Sequence, residues 1–63
     1  MKVTLKAARV NAGLTQKEAA KELDISVDTL ASYEKGNSFP DVRVIKKMEK
    51  LYGVTYNNII FLT

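Results

Sequence analysis

The side chains of this chain that could take part in chemistry are almost all hydrogen-bonding or ionic groups. Its 63 residues include no cysteine and no histidine, which excludes disulfides, thiolate or imidazole catalysis and the usual zinc sites. The sequence also has no glycine-rich phosphate loop and no pair of carboxylates placed for acid–base catalysis. We therefore expect no enzyme, no metal and no cofactor, and the polar residues point to binding instead.

The most informative polar residues lie between Gln16 and Lys35, in the stretch QKEAAKELDISVDTLASYEK. The small or apolar residues of this stretch recur at helical spacing, and they are Ala19, Ala20, Leu23, Ile25, Leu30 and Tyr33. This spacing predicts two short helices that cross at a tight polar turn and leave the outer face of the second helix free. A narrow polar helix face of this kind fits the major groove of duplex DNA, where base edges offer hydrogen bonds.

Capping residues and glycines divide the chain into short helices. Thr15 and Glu18 match the T-x-x-E capping box, and each of the three glycines follows an apolar-periodic segment, as helix-ending glycines do. The five predicted helices run from Thr4 to Ala12, from Thr15 to about Leu23, from Ser26 to about Lys35, from Asp41 to just before Gly53, and from Thr55 to about Phe61. No segment alternates with period two, so we expect no strands and an all-α, compact five-helix fold.

Length and charge limit the possible partners. The chain has the length of one small domain, residues 1–63, and it contains no apolar run suited to a membrane span or a signal peptide, so we expect a cytoplasmic protein. The net charge of +3 suits a polyanionic partner. Residues 23–40 sum to −2, whereas residues 1–22 sum to +3 and residues 41–63 to +2. Attraction to phosphate would therefore come from the segments that flank the central helix.

The joint spacing of residues along the chain carries a family resemblance. The matching residues are Leu5, Arg9, the Gly13-Leu14-Thr15-Gln16 run, Glu18, Ala20, Leu23, Ile25-Ser26, Leu30, Tyr33-Glu34, Gly36, Pro40 and residues 51–55. With this pattern the chain resembles the lambda-repressor/Cro-type (XRE-like) helix-turn-helix DNA-binding family from Leu5 to Ile60, with the helix-turn-helix at about 16–35. The resemblance implies a five-helix domain that binds double-stranded DNA sequence-specifically, as a homodimer on a roughly palindromic operator.

By this resemblance the third helix reads bases. Val27, Asp28 and Ser32 match the positions that face base edges, and Thr29 lies beside them. Val27 would pack against a thymine methyl group, Asp28 would accept from a cytosine or adenine amine, and Ser32 would pair with several bases. Asp28 has a second interpretation as an acid that favours the helix dipole, worth about 0.3–1 kcal/mol. Val27 also has a second interpretation, as an ordinary exposed apolar residue.

The resemblance also assigns residues to the DNA backbone and to one ion pair. The backbone candidates are Gln16, Lys17, Lys35, Asn37, Ser38 and Arg43. Lys17 is open to a second interpretation as a solvated surface lysine. Arg9 and Glu34 match a structural pair that joins the first and third helices and fixes the pose of the reading helix. The chain departs from the family where Asp24 replaces the usual turn glycine, where Glu49 replaces a small apolar residue, and where the third helix lacks the common arginines or glutamines.

The apolar residues are divided between a core and a candidate dimer surface. The predicted core is Leu5, Leu14, Leu23, Ile25, Leu30, Tyr33, Val42, Ile45, Met48, Leu51, Val54, Tyr56 and Ile59. Phe39 either plugs the core beneath Pro40 or lies at a subunit contact. Phe61 and Leu62 lie beyond what a five-helix core requires, so with Phe39 they are the dimer candidates. Fraying of this tail, or packing back on the core, is the alternative.

The function favoured by this pattern is a DNA-binding transcriptional regulator, most simply a repressor of the Cro-like or phage and mobile-element type. One alternative is an antitoxin-type autoregulator, which would have a protein partner as well as DNA. Another is a helical protein-interaction module without DNA binding, an interpretation favoured by the acidic middle segment. Salt-sensitive affinity for duplex DNA distinguishes the regulators from the interaction module.

Overall fold

The computed structural model describes residues 2–61, which form four α-helices and one short pair of strands. The elements are β1 (Val3–Thr4), α1 (Leu5–Asn11), α2 (Gln16–Leu23), α3 (Val27–Lys35), α4 (Val42–Tyr52), a 3-10 turn (Tyr56–Asn58) and β2 (Ile59–Ile60). Helix α2 packs against α3, α1 packs against α3 and α4, and α4 also contacts α2. Within residues 2–61 no helix combines the length and apolar character needed to cross a bilayer.

All four α-helices begin at side-chain caps, and the sequence predicts three of them, Thr15, Ser26 and Asp41. At α2 the hydroxyl of Thr15 accepts from the backbone N–H of Glu18 at 3.1 Å, and the Glu18 carboxylate accepts from the Thr15 N–H at 2.9 Å. This backbone hydrogen bond lowers the pKa of Glu18, because it favours the charged carboxylate. The other three helices lack the second hydrogen bond of this capping box, but the side chains of Thr4, Ser26 and Asp41 each accept from a backbone N–H three residues later. Local capping chemistry therefore sets where each α-helix starts.

The turn between α2 and α3 depends on a left-handed residue. Asp24, the C-cap of α2, has φ 58° and ψ 43°, a conformation that aspartate tolerates better than most non-glycine residues. The N–H of Ile25 then donates to the Ala20 carbonyl at 3.0 Å, which closes the end of α2. Asp24 therefore performs the role that glycine usually has in this turn, and it aims the chain at the cap of α3.

The predicted fifth helix is wrong. Only a single 3-10 turn forms at Tyr56–Asn58, and the Thr55 side chain makes no capping hydrogen bond. The backbone N–H of Tyr56 donates instead to the Glu49 carboxylate at 2.8 Å, so a side chain of α4 holds the start of this segment. The β-branched residues that follow pair in parallel with the chain start, Ile59 opposite Val3 and Ile60 opposite Thr4. The expectation of no strands is therefore also wrong.

The core lies where the four helices meet. Its buried members are Leu5, Ala8, Ala19, Ala20, Leu23, Leu30, Met48, Tyr52 and Ile59. Leu30 of α3 and Met48 of α4 are fully buried, so each of them anchors its helix in the core. Two residues predicted to be in the core are not: Val42 is 67% exposed and Tyr56 is 46% exposed. Val42 lies in the first turn of α4 on the face that no other helix covers, and Tyr56 lies in the 3-10 turn beside it.

Tyr52 is a buried residue that the predicted core omits. Its side chain is 7% exposed, and its hydroxyl has no hydrogen-bond partner within the described part of the chain. Burial, together with the nearby Glu34 carboxylate, raises the pKa of Tyr52 to about 12. A buried hydroxyl without a partner costs about 1–3 kcal/mol, so part of the stability gained by burying the ring is lost at the hydroxyl.

Replacing Tyr52→Phe is therefore expected to raise the free energy of unfolding by about 1 kcal/mol, because the ring stays packed and the unpaired hydroxyl is removed. Urea denaturation at pH 7 measures the change, with Tyr56→Phe, at an exposed ring, as the control that should change little. Because the folded-state pKa lies above the ordinary value of 10, the stability that comes from neutral Tyr52 is present below pH 10. This stability is lost between pH 10 and 12. The free energy of unfolding of Tyr52→Phe should therefore decrease less over this pH range than that of the unaltered chain. A clear destabilisation of Tyr52→Phe would contradict the account.

Candidate nucleic-acid interface

Helix α3 presents a short polar face at its N-terminal end. Leu30 is completely buried against the core, and this contact turns the preceding and following side chains outward. Val27 is 40% exposed, Asp28 is exposed, and Thr29 and Ser32 are half-buried. The four residues predicted to read bases therefore lie together on one accessible part of α3. Among them Asp28 has acceptor oxygens only, and Thr29 and Ser32 have hydroxyls that donate or accept.

Both hydroxyls on this face are paired with a second hydroxyl. The Oγ of Ser26 lies 2.7 Å from the Oγ1 of Thr29, and it also accepts from the Thr29 backbone N–H at 3.1 Å. The Oγ of Ser32 lies 2.8 Å from the Oγ of Ser38 in the loop after α3. The first pair is part of the helix cap. The second joins a predicted base-reading residue to a predicted backbone residue.

A network centred on Glu34 holds α3 to the first two helices. The Arg9 Nε donates to Glu34 Oε2 at 2.7 Å and Arg9 Nη2 to Oε1 at 3.3 Å, and both residues are buried. Arg9 Nη1 also donates to the Leu14 carbonyl at 2.9 Å, and Gln16 Nε2 donates to Glu34 Oε1 at 2.9 Å. Arg9 and Glu34 thus form a bidentate ion pair. Arg9 also binds the turn between α1 and α2, and Glu34 also binds the first residue of α2. The network fixes the position of α3 relative to α1 and α2.

The start of α2 provides the positive end of a helix. Gln16 and Lys17 are its first two residues, and their backbone N–H groups precede any intrahelical acceptor. The Lys17 side chain is exposed, whereas Gln16 is half-buried because its amide is bound to Glu34. The geometry leaves Gln16 its second amide hydrogen and its carbonyl oxygen for an external group. Gln16 can therefore stabilise the Glu34 network and still contact an external group.

The remaining backbone candidates lie at the last residue of α3 and beyond it. Lys35, Asn37, Ser38 and Arg43 are all exposed. The N–H of Asn37 donates to the Ser32 carbonyl at 3.0 Å, so this amide closes the helix and is not available to a phosphate. Only the side chain of Asn37 is left for contact. Arg43 is the second residue of α4, where the helix dipole adds to its own positive charge.

An apolar surface lies beside these cations. Phe39 is 58% exposed, and its ring centroid is 4.5 Å from that of Phe61, which in turn lies 5.4 Å from Tyr56. Pro40 itself is buried, so Phe39 does not plug the core beneath it. Phe39, Val42 and Tyr56 border a groove of about 510 Å³ that is lined also by Pro40, Asp41, Ile45, Lys46 and Glu49. Leu62, the other dimer candidate, lies outside the described residues.

The sequence identified the residue types of this surface but missed several contacts between them. The Ser32–Ser38 pair and the Gln16–Glu34 hydrogen bond join residues 6 and 18 positions apart, and nothing in helical periodicity indicates either contact. The only sequence signal for the first was a serine on each side of the glycine that ends α3. Among the described residues no group of three or more carboxylates is placed to hold a metal ion.

The chain is similar in sequence to several transcriptional regulators. The chain is 41% identical over 56 residues to the HTH-type transcriptional regulator ImmR of Bacillus subtilis (strain 168), covering 89% of this chain and 44% of that protein. It is 33% identical over 52 residues to the cryptic phage CTXphi transcriptional repressor RstR of Vibrio cholerae, covering 82% of this chain and 47% of that one. The chain thus spans about half the length of these two relatives.

A third relative has nearly the same length. An uncharacterized HTH-type transcriptional regulator of Methanocaldococcus jannaschii is 37% identical over 59 residues, which cover 94% of this chain and 89% of that protein. No solved structure matches the chain significantly. The helix-turn-helix family model matches residues 5–58, which include α1 to α4 and the 3-10 turn. The chain therefore belongs to the XRE-type helix-turn-helix family, whose members are DNA-binding transcriptional regulators rather than enzymes.

Proposed function

We propose that this chain is a sequence-specific regulator that reads the major groove of double-stranded DNA with α3 and acts most simply as a repressor. The observation that carries the proposal is the free face of α3, where Val27, Asp28, Thr29 and Ser32 are accessible while Leu30 anchors the helix. A repressor needs no chemistry on its target, because occupying promoter DNA is sufficient. One relative is named as a phage transcriptional repressor, which favours that sign of regulation.

The backbone contacts proposed for this complex surround the reading face. The N-terminal end of α2 with Gln16 and Lys17 would meet one phosphate group, since free N–H groups and the helix dipole favour an anion there. The loop with Asn37 and Ser38, together with Lys35 and Arg43, would meet another part of the backbone. These contacts give affinity without sequence preference, whereas the α3 side chains give the preference.

We propose further that residues 1–63 act as one DNA-binding unit that pairs into a homodimer. The exposed apolar residues Phe39, Val42 and Tyr56 are the candidate contact. Phe61 stacks on Phe39 but is half-buried against the core, and Leu62 is a candidate from the sequence alone. The rim of this surface carries both signs of charge, Asp41 and Glu49 with Lys46, so two copies of the surface could pair opposite charges across a two-fold axis. Two α3 helices would then enter major grooves about 34 Å apart on a palindromic operator. The relatives are bacterial and archaeal, so a cytoplasmic location follows from access to DNA.

Fluorescence anisotropy tests the function directly. The chain is titrated against duplex DNA from upstream of its own gene and against a scrambled duplex of the same composition, each at two salt concentrations. Tighter binding to the native fragment that weakens steeply with salt is expected. Selection of preferred duplexes from a random library tests the dimer, because inverted half-sites about 10–10.5 base pairs apart are expected. Affinity for neither duplex, even at low salt, would overturn the proposal in favour of an interaction module.

Removing one phosphate contact should change the salt dependence. Arg43→Ala is expected to weaken binding to all duplexes alike and to reduce the slope of log affinity against log salt by about 0.9 per protomer, or about 1.8 for a dimer, because each protomer releases about one counterion fewer. The matched control is Lys50→Ala, which removes the same charge from the exposed surface near the other end of α4 and should leave the slope nearly unchanged. An unaltered slope for Arg43→Ala would remove Arg43 from the backbone contacts.

A further inference from the structure

The hydroxyl pair of Ser32 and Ser38 has two possible arrangements. Its oxygens are 2.8 Å apart, and either atom can be the donor. Each hydroxyl has one hydrogen, so only one of the two donates within the pair. If Ser32 donates, it presents only lone pairs to any further partner, and the hydrogen of Ser38 points elsewhere. If Ser38 donates, the Ser32 hydrogen is free for an acceptor on a base.

A phosphate beside Ser38 selects the first arrangement. Phosphate oxygens only accept hydrogen bonds, so Ser38 must give its single hydrogen to the phosphate and accept from Ser32. Ser38 is exposed in the loop that follows α3, with the exposed cation Lys35 before it. In that state the Ser32 oxygen faces the major groove of the DNA as a hydrogen-bond acceptor. Asp28, four residues earlier on the same face of α3, also has acceptors only.

We propose that Ser38 is a specificity-determining residue that acts through Ser32. By contacting the DNA backbone it holds the Ser32 hydroxyl as an acceptor, and the base opposite Ser32 is then one that carries an amine in the major groove. Only adenine and cytosine do so, while guanine and thymine present acceptors at the same edge. The inference rests on the proposed DNA-binding function and adds the class of base that this part of α3 recognises.

The test begins with duplexes selected from a random library by the unaltered chain. The base pair read by Ser32 is the one at which Ser32→Ala loses preference. Dissociation constants are then measured with all four bases at that position for the unaltered chain, Ser38→Ala and Ser38→Thr. A duplex with purine in place of adenine, or with pyrimidin-2-one in place of cytosine, removes the amine alone.

The unaltered chain is expected to prefer adenine or cytosine there by about tenfold or more, and to lose that preference when the amine is removed. Ser38→Ala should reduce the preference to less than about threefold while preferences at other positions stay, because Ser32 is then free to donate as well as accept. Ser38→Thr keeps the hydroxyl and should keep the preference. Circular dichroism checks that each variant is folded.

Four results overturn the inference while leaving the proposed function in place. The first two are a preference for guanine or thymine at the base pair read by Ser32, and the absence of any base pair whose preference depends on Ser32. The third is a preference that persists when the amine is removed. The fourth is a Ser38→Ala variant that binds the duplexes with all four bases more weakly by the same factor. The last identifies Ser38 as a backbone contact only. Failure of the library to yield any preferred duplex overturns the inference and the proposed function together.

Discussion

Glu34→Gln is expected to lower the free energy of unfolding by about 3–5 kcal/mol. The substitution keeps the shape of the side chain but removes the charge that faces the buried Arg9 guanidinium at 2.7 Å. A buried charge that loses its partner keeps its desolvation cost, which explains the size of the effect. Domains of this kind are stable by only about 5–15 kcal/mol in total, so the variant should be close to unfolding at 37 °C.

Two further variants make this prediction specific to the pair. Glu22→Gln makes the same change at an exposed position of α2 and should alter stability by less than about 0.5 kcal/mol. The double variant Arg9→Met with Glu34→Leu removes both charges, and it should recover most of the loss because an apolar pair of similar volume replaces the buried ions. Urea denaturation measures all three. If Glu34→Gln matches Glu22→Gln, the pair does not hold α3 in place.

Asp28→Ala is expected to change the preference of the protein among DNA sequences more than its overall affinity for DNA. In the proposed complex the Asp28 carboxylate accepts from a base amine, so its loss should reduce discrimination at one base pair by about 1–3 kcal/mol. Affinity for unrelated duplexes should rise at the same time, because an exposed negative charge near phosphates is removed. Competition binding with selected and altered duplexes measures both effects.

The helix-dipole interpretation of Asp28 predicts a different result. If the carboxylate only favours the start of α3, its loss costs about 0.3–1 kcal/mol of stability and leaves discrimination unchanged. Glu22→Gln again serves as the control, since it removes one exposed negative charge away from α3 and should leave sequence preference unaltered. A variant at Asp28 that shifts affinity for every duplex by the same factor would exclude it from base reading.

The helix starts were predictable because each depends on residues three positions apart. Thr15 with Glu18 and Ser26 with Thr29 contain the whole interaction within one turn. The segment from Tyr56 to Ile60 was not predictable in this way. Its conformation depends on Glu49 accepting from Tyr56, and on Ile59 pairing with Val3 near the other end of the chain. Both contacts form only once α4 and α1 are packed.

The site shows the same division between local and tertiary information. The exposed side chains of α3 followed from the spacing around Leu30, because the helical repeat determines which residues share its buried face. Periodicity marks apolar residues without saying whether anything covers them, so it placed Val42 and Tyr56 in the core although both are exposed. The hydroxyl pair of Ser32 and Ser38 depends on the path of the loop after Gly36, which α3 alone does not define.

Nuclear magnetic resonance of the ¹⁵N-labelled chain can show residue by residue where duplex DNA contacts the protein. Amide shifts are followed as a selected duplex is added, with a scrambled duplex as the control. We expect the largest changes on α3 between Val27 and Ser32, with smaller changes at the start of α2, in the loop at residues 37–38 and at Arg43. Changes confined to the apolar surface of Phe39, Val42 and Tyr56, or equal changes with both duplexes, would contradict the proposal that α3 reads sequence.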